Sequence, residues 1–306
     1  MRRVGLLGTL VWDRYVPPGG RTPVERWGGL AYSLAAFAAA CPPGWEGVPL
    51  IQIGYDLWDE ALSFLRRLPN LRLGPGLRRP LVPNNRVALR YTGPAERVER
   101  LTGGVPPWSF DALAPLLGPL DALYVNFIAG WELDLPTLEA VRGVFRGPVY
   151  GDLHSLLLGC AEDGTRVPRT MDQPERWVAC FDVVQANTHE WARLGFAEDP
   201  LQAARRAVTY GPRLALVTRG ADGAWVVERG GATYEVPAPT PPPAPDPTGC
   251  GDVWGSTFFC AWLAGVPPRQ AAAWAHAAAG AKLAHAGADD LVPVLRRALS
   301  PYLEAL

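Results

Sequence analysis

The 306-residue sequence holds a single lysine, Lys282, with four histidines and five cysteines. Each scarcity closes off a chemistry. A P-loop needs Gly-Lys-Ser/Thr, and Lys282 is followed by Leu283, so that phosphate cradle is absent. Four histidines without any Cys-x-x-Cys leave no ligand set for a structural or catalytic zinc. His189-Glu190 begins like a zinc-protease helix, but Arg193 stands where the second histidine belongs. The cysteines, at 41, 160, 180, 250 and 260, are odd in number and widely spaced. They predict mostly buried thiols in a reducing cytoplasm, not a disulfide framework. No Gly-x-Ser-x-Gly elbow occurs, and Gly249 and Gly251 lack the third glycine of a dinucleotide fingerprint, Trp254 holding that place.

Charge is equally sparse in sign. The net charge of −1 gives no electrostatic footing for nucleic acid or an anionic membrane as partner. The longest apolar run, Leu30 to Cys41, is too short to span a bilayer. Met1-Arg2-Arg3 leads directly into Val4–Leu7 and then Gly8 and Asp13, which reads as a first buried strand and not as a signal peptide. A hydrophobic content of 48% and a mean hydropathy of +0.02 exclude a disordered chain. The length suits one α/β domain over 1–306 with a small appendage.

What is present is an alternation of short apolar runs with helical stretches. Val4–Leu7, Pro49–Ile53, Leu120–Phe127, Val149–Asp152, Val183–Ala186 and Leu214–Thr218 read as buried strands. Leu30–Ala40, Trp58–Leu68, Val253–Leu263, Pro268–Ala286 and Leu291–Leu306 read as helices. Ala224–Val227 and Thr233–Val236 flank Gly230-Gly231 as a hairpin. The pattern predicts a doubly wound, mostly parallel sheet flanked by helices. Segments 11–27 and 82–104 break the rhythm; in the second, Val87–Tyr91 and Val98–Leu101 alternate around Thr92-Gly93-Pro94. Such strands can form a small sheet standing off the main body. The proline run Pro237–Pro247 reads as a stiff loop.

The most telling stretch is Asp246-Pro247-Thr248-Gly249-Cys250-Gly251-Asp252, followed at once by the apolar helix. Small residues leave backbone N–H groups uncovered at a helix N-terminus, a ready anion site. A carboxylate in that first turn gains little from touching an anion. It makes sense if Asp252 takes the proton of a hydroxyl that attacks a phosphate. The plain alternative is a helix cap with an acidic first turn.

This segment resembles the signature of the ribokinase-like, phosphofructokinase B type carbohydrate kinases, Asp-Thr/Pro-Thr-Gly-Ala-Gly-Asp, with Cys250 for the alanine. The resemblance implies the ribokinase-like fold with a β-sheet lid at 11–27 and 82–104. It makes Asp252 the general base and Gly249, Cys250 and Gly251 the anion hole. It also implies ATP and Mg²⁺ as cofactors, with Asp246, Thr248 and the loop of Gly287 around a monovalent cation, K⁺. Asn187-Thr188-His189-Glu190 resembles the family's Asn-x-x-Glu, which holds Mg²⁺ through water; on its own it reads equally as a helix cap. Thr218, Gly220 and Gly223 fall where the family meets the nucleotide, and His276 where it lines the adenine pocket.

At the other end, Gly8 and Asp13 resemble Gly-x-x-x-x-Asp, whose aspartate grips substrate hydroxyls. Gly28-Gly29-Leu30-Ala31-Tyr32-Ser33 resembles Gly-Gly-x-x-x-Asn, with Ser33 for the asparagine. Gly54-Tyr55-Asp56 matches a scaffold turn. Asp152-Leu153-His154-Ser155-Leu156 stands for Asp-x-Asn-x-Arg, and loss of that arginine points away from an anionic substrate toward a neutral sugar or cyclitol. Two alternatives stay open. Trp12, Tyr15, Trp27 and Tyr32 could stack on a base, as in a nucleoside kinase. Ser33, His154 and Leu156 would also suit a non-catalytic polyol-binding relative. Lid strands pair between subunits in the family, which implies a homodimer.

Overall fold

Apolar runs bounded by glycine and polar residues assemble here into one large sheet. The computed structural model describes residues 1–16, 23–91, 97–240 and 246–304. Pro17–Gly20, Thr92-Gly93-Pro94 and the middle of the Pro237–Pro247 run lie outside the described residues.

Strand β1 (Arg2–Leu7) opens the chain, followed by β2 (Leu10–Val16), β3 (Val24–Gly29), helix α1 (Leu30–Ala40) and β4 (Trp45–Gln52). Next come α2 (Trp58–Arg67), β5 (Leu77–Arg78), β6 (Arg86–Tyr91), β7 (Arg97–Thr102) and α3 (Phe110–Leu117). Then β8 (Ala122–Asn126), α4 (Leu135–Val144), β9 (Val149–Asp152) and the hairpin β10 (Leu158–Cys160) and β11 (Arg166–Pro168) lead to α5 (Pro174–Ala179). Strand β12 (Val183–Asn187), α6 (Thr188–Arg193), α7 (Pro200–Ala207) and β13 (Leu214–Thr218) continue the alternation. The remaining elements are β14 (Ala224–Glu228), β15 (Thr233–Val236), α8 (Cys250–Leu263), α9 (Pro268–Leu283) and α10 (Leu291–Leu303).

The nine-stranded sheet runs β15-β14-β13-β12-β9-β8-β1-β4-β5. All its pairings from β13 to β5 are parallel, and only the hairpin strands β14 and β15 are antiparallel. This is the doubly wound architecture that the alternation predicts. Period-two alternation feeds two cores: in β1, Val4 and Leu6 enter the one beneath α1, α2, α8, α9 and α10, and Leu7 the one beneath α3 to α7. Every residue of α1 is buried. Its alanines let α8 approach closely enough for Ser256 Oγ to donate to the Ser33 carbonyl at 2.8 Å.

A separate four-stranded sheet, β3-β2-β6-β7, joins the two segments that broke the rhythm. Its buried Val11, Val87, Leu89 and Leu101 pack on Ile128 and Ala129, in the loop after β8. The small sheet is thus held over the carboxyl ends of the parallel strands. Helix α9 stops at Leu283, short of the predicted Ala286, because the His285 N–H turns back to the Lys282 carbonyl at 2.9 Å. Among the described residues no helix is long and apolar enough to cross a membrane.

Candidate active site

Each parallel strand trades apolar residues for polar ones at its carboxyl end, where doubly wound sheets open a crevice. Register sets these ends side by side: Asn126 pairs with Asp152, Asp152 with Gln185, and Asn187 with Thr218. Asp152, Gln185, Asn187 and Thr218 border a cavity of about 210 Å³ that is closed above by Val11, Asp13, Val87 and Leu89 of the small sheet and beside it by Thr248, Gly249, Gly251 and Asp252.

Asp252 sits in the first turn of α8 and accepts from Asn126 Nδ2 through Oδ1 at 2.6 Å. Burial lifts its pKa above the usual carboxylate value, while the charge of His154 and the Asn126 bond restrain the rise. Asn126 also donates to Ser33 Oγ at 3.0 Å, and Ser33 Oγ lies 3.4 Å from Tyr124 Oη. Gln185 Nε2 bridges Asp152 Oδ2 at 2.9 Å and the Gly251 carbonyl at 3.1 Å, while its Oε1 accepts from Tyr150 Oη. Burial, then the charge of Asp252, pushes Asp152 well above the usual carboxylate range. His154 Nδ1 lies 3.1 Å from Glu190 Oε1. Burial works against its charge, but Glu190, Asp152 and Asp252 prevail and lift its pKa to about 10.

The head of α8 depends on Gly249, which takes φ 79°. A Cβ there would lie 2.3 Å from Tyr32 Cγ, so only glycine permits both the left-handed turn and the approach to the ring. The Cys250 N–H turns back to the Pro247 carbonyl at 3.2 Å. That corrects the three-residue anion hole: among the described residues the N–H groups of Gly249 and Gly251 are those left without a backbone acceptor. The Cys250 thiol points to the carbonyls of Asp246 and Ala279, and burial raises its pKa to about 11.

The other expected residues divide. Asp13 and Gly29 line the cavity; Gly28 instead lies against Asp13, since a Cβ there would meet Asp13 Oδ2 at 1.8 Å. Ser33 is fully buried below the cavity and reaches Asp252 only through Asn126, which corrects its expected contact with substrate. Asn187 and Glu190 both line the cavity and also form a reciprocal cap: Asn187 Oδ1 accepts from the Glu190 N–H at 3.0 Å and Glu190 Oε2 from the Asn187 N–H at 2.7 Å. Thr218 lines the cavity, whereas Gly220 is exposed beside it and Gly223 is kept for a close approach, its Cβ position being 2.1 Å from the Val236 carbonyl oxygen.

His276 lies outside the cavity lining. Its Nδ1 accepts from Trp254 Nε1 at 3.2 Å and its Nε2 donates to the Val236 carbonyl at 3.1 Å, so both nitrogens are spent in the core. Burial lowers its pKa and keeps it neutral. Trp27 is likewise buried, edge-on to Trp12 at 5.0 Å, and Tyr32 is the only Phe, Tyr or Trp lining the cavity among the described residues.

The monovalent-cation assignment does not fit either. Lys282 Nζ, fully buried, lies 2.8 Å from the His285 carbonyl oxygen, 3.3 Å from that of Asp246 and 3.5 Å from Asp246 Oδ2. Arg26 Nη2 adds a second cation 3.2 Å from Asp246 Oδ2, and Gly287, at φ 83°, packs against the Arg26 stem. Thr248 contributes its N–H to Asp246 Oδ1 at 3.1 Å.

Asn126, Gln185 and Glu132 stand outside every motif of the sequence. Glu132 accepts from Thr9 Oγ1 and from the N–H groups of Ile128, Ala129 and Gly130, at 2.6 to 2.9 Å, and so fixes the loop under the small sheet. Asn126 could have been found as the polar end of a buried strand. Glu132 carries no such signal.

Residues 159–295 match the family model of the pfkB family carbohydrate kinases. No curated protein matches the sequence. Among solved structures, a pyrophosphate-dependent kinase of the ribokinase family, complexed with a pyrophosphate analog and myo-inositol, is 18% identical, with a TM-score of 0.79 over 98% of this chain and 99% of that one. Ribokinase from Thermotoga maritima is 19% identical, with a TM-score of 0.79 over 99% of this chain and 100% of that one. Arabidopsis thaliana ribokinase, complexed with ribose and ATP, is 19% identical, with a TM-score of 0.72 over 99% and 98%. At such identities the likeness to solved structures is one of fold.

Proposed function

We propose that this chain, which matches the pfkB carbohydrate kinase family over residues 159–295 and shares the ribokinase-like fold, transfers a phosphoryl group to a hydroxyl of a small neutral sugar or cyclitol. The observation that carries this reading is Asp252. Asn126 holds its Oδ1, burial raises its proton affinity, and it stands in the same helical turn as the unpaired N–H of Gly251. A hydroxyl placed between Asp13 and Asp252 would lose its proton to Asp252 as it attacks. The Gly249 and Gly251 N–H groups would then meet the charge on the transferring phosphoryl oxygens. The small sheet over the cavity acts as the lid, excluding water from the reacting atoms.

A neutral acceptor follows from the lining. Asp13, Glu99, Asp152, Glu190 and Asp252 face the cavity with no arginine or lysine among the described lining residues. With His154 as the cationic group among the described lining residues, the cavity lacks the guanidinium or ammonium that a sugar acid or sugar phosphate would engage. With Tyr32 as the only Phe, Tyr or Trp among the described lining residues, a stacked base is disfavoured and the nucleoside alternative loses its support.

The donor is read as ATP with Mg²⁺ on the family resemblance. Among the described residues no cluster of three or more His, Cys, Asp or Glu could cage a metal, which suits a Mg²⁺ that arrives with its phosphates and waters. Glu190 and Asn187 would hold it through water, and when bound it supplies charge neutralisation on the phosphates. Pyrophosphate is the second reading of the donor, favoured because His276 is spent in the core and offers an adenine nothing. All five thiols are free, and only Cys180 and Cys260 are buried, which corrects the expectation of mostly buried thiols.

The test is donor consumption by the purified protein with ATP or pyrophosphate and Mg²⁺, across neutral sugars, cyclitols, sugar acids and nucleosides, beside Asp252→Asn. Turnover of one neutral polyol by the parent alone supports the reading. A nucleoside or an anionic sugar as best acceptor would overturn its substrate half, and equal turnover by Asp252→Asn its mechanism.

A further inference from the structure

The only lysine of the chain is fully buried at the end of α9, beside the turn that shapes the α8 head. A buried ammonium is costly unless every N–H is paired. Lys282 meets that condition with three oxygens from two segments: the His285 carbonyl at 2.8 Å, the Asp246 carbonyl at 3.3 Å and Asp246 Oδ2 at 3.5 Å. A neutral amine has only two N–H donors for these three acceptors, so the geometry suits the charged form. The Tyr32 ring centroid lies 5.4 Å from Nζ, within cation–π reach, and the same ring carries Gly249. Two carbonyl oxygens and a carboxylate around one positive point are the surroundings that a small cation would take. Arg26 does not duplicate this role, because it reaches only the Asp246 carboxylate.

We propose that the Lys282 ammonium is a built-in cation: a positioning residue that holds Asp246 to Gly249 in place of a metal ion, so that the site works without added potassium. The segment it grips sets the turn at Gly249, which lines the cavity with Gly251. Asp246, Arg26, Cys250 and Tyr32 are the titratable groups packed around it. Burial pulls the Lys282 pKa below the ordinary lysine value, and Asp246 pulls it back. The claim about the working site rests on the kinase reading; the claim about the cation does not.

Thermal unfolding therefore comes first, in choline, potassium and ammonium chloride. The parent should show the same midpoint in choline and potassium. Lys282→Ala should unfold at a lower temperature, and about 100 mM potassium or ammonium should raise its midpoint over choline by about 2 °C or more. Lys282→Met, which refills the space, should show no such rise. A parent stabilised by potassium over choline overturns the proposal, as does a Lys282→Ala midpoint equal in all three salts. Should Lys282→Ala not fold in any salt, the parent comparison decides. In turnover assays the parent rate should be flat in potassium, and Lys282→Ala should fall roughly 10²-fold and recover partly with ammonium. A parent that consumes no donor with any acceptor would sink the kinase reading and leave the thermal result standing.

Discussion

The acceptor and donor sides of the cavity are built on different terms. On the acceptor side Asp13, Gly29, Tyr32, Gly249, Gly251 and Asp252 converge on one space, and Gly29 and Gly249 are glycines because another group needs the room. On the donor side Asn187, Glu190 and Thr218 of the expected residues line the cavity, whereas Gly220, Gly223 and His276 do not. Gly223 serves the approach to Val236, and His276 serves the core. On the proposed reading, hydroxyl chemistry demands particular side chains, and its motif serves as the site. A phosphate chain can be held by main chain alone, so glycines and a lone histidine on that side report turns and packing as readily as contact.

The sharpest way to break this contrast is Asp252→Asn. If the acceptor side carries the chemistry, kcat should fall on the order of 10³-fold, within the span of a lost general base, with donor affinity unchanged in a binding assay. Near-parent turnover would remove Asp252 from the mechanism. Next in size is Gly249→Ala. The left-handed backbone and the Tyr32 ring should together cost about 3 kcal/mol of stability by denaturant titration, and turnover should fall with it. A variant of parent stability would mean that the α8 head is looser than the packing against Tyr32 implies.

Much of this was legible in the chain. Strands at Val149–Asp152 and Leu214–Thr218 were read to the residue, because a buried parallel strand is an apolar run with hard ends. Helices α4 and α7 were overlooked although their signals are present: Asp134 before Leu135-Pro136, and Asp199 before Pro200, each aspartate capping the N–H three residues on. Both are short, and their apolar faces are small. The site was legible where one segment holds the chemistry, as in Asp246–Asp252. It was not where partners lie far apart: Asn126 meets Asp252 across 126 positions and Lys282 meets Asp246 across 36. Ser33 illustrates the limit, since its motif was readable but its burial beneath Asn126 is a property of packing.

Asn126→Ala sharpens the acceptor side further. A base must be deprotonated, so activity is lost as pH falls through the folded pKa of Asp252. Burial has already raised that value, and the Asn126 bond opposes the rise. Removing the bond should move the acid limb of kcat/KM upward by about one pH unit, as expected for one hydrogen bond to a charged group, and lower neutral-pH turnover roughly 10-fold. A limb that stays in place would show that Asn126 positions Asp252 without tuning it.

The smallest effect is expected from His276→Ala, and it bears on the donor side alone. The substitution leaves Trp254 Nε1 and the Val236 carbonyl without their partner and opens space between α8 and α9. Stability should drop by about 2 kcal/mol in thermal or denaturant unfolding. Donor KM should stay within about 2-fold of the parent, because uniform binding is lost only when a touching group is removed. A donor KM raised roughly 10-fold with little loss of stability would reverse the assignment, give the donor side a side chain of its own, and revive ATP over pyrophosphate through an adenine contact.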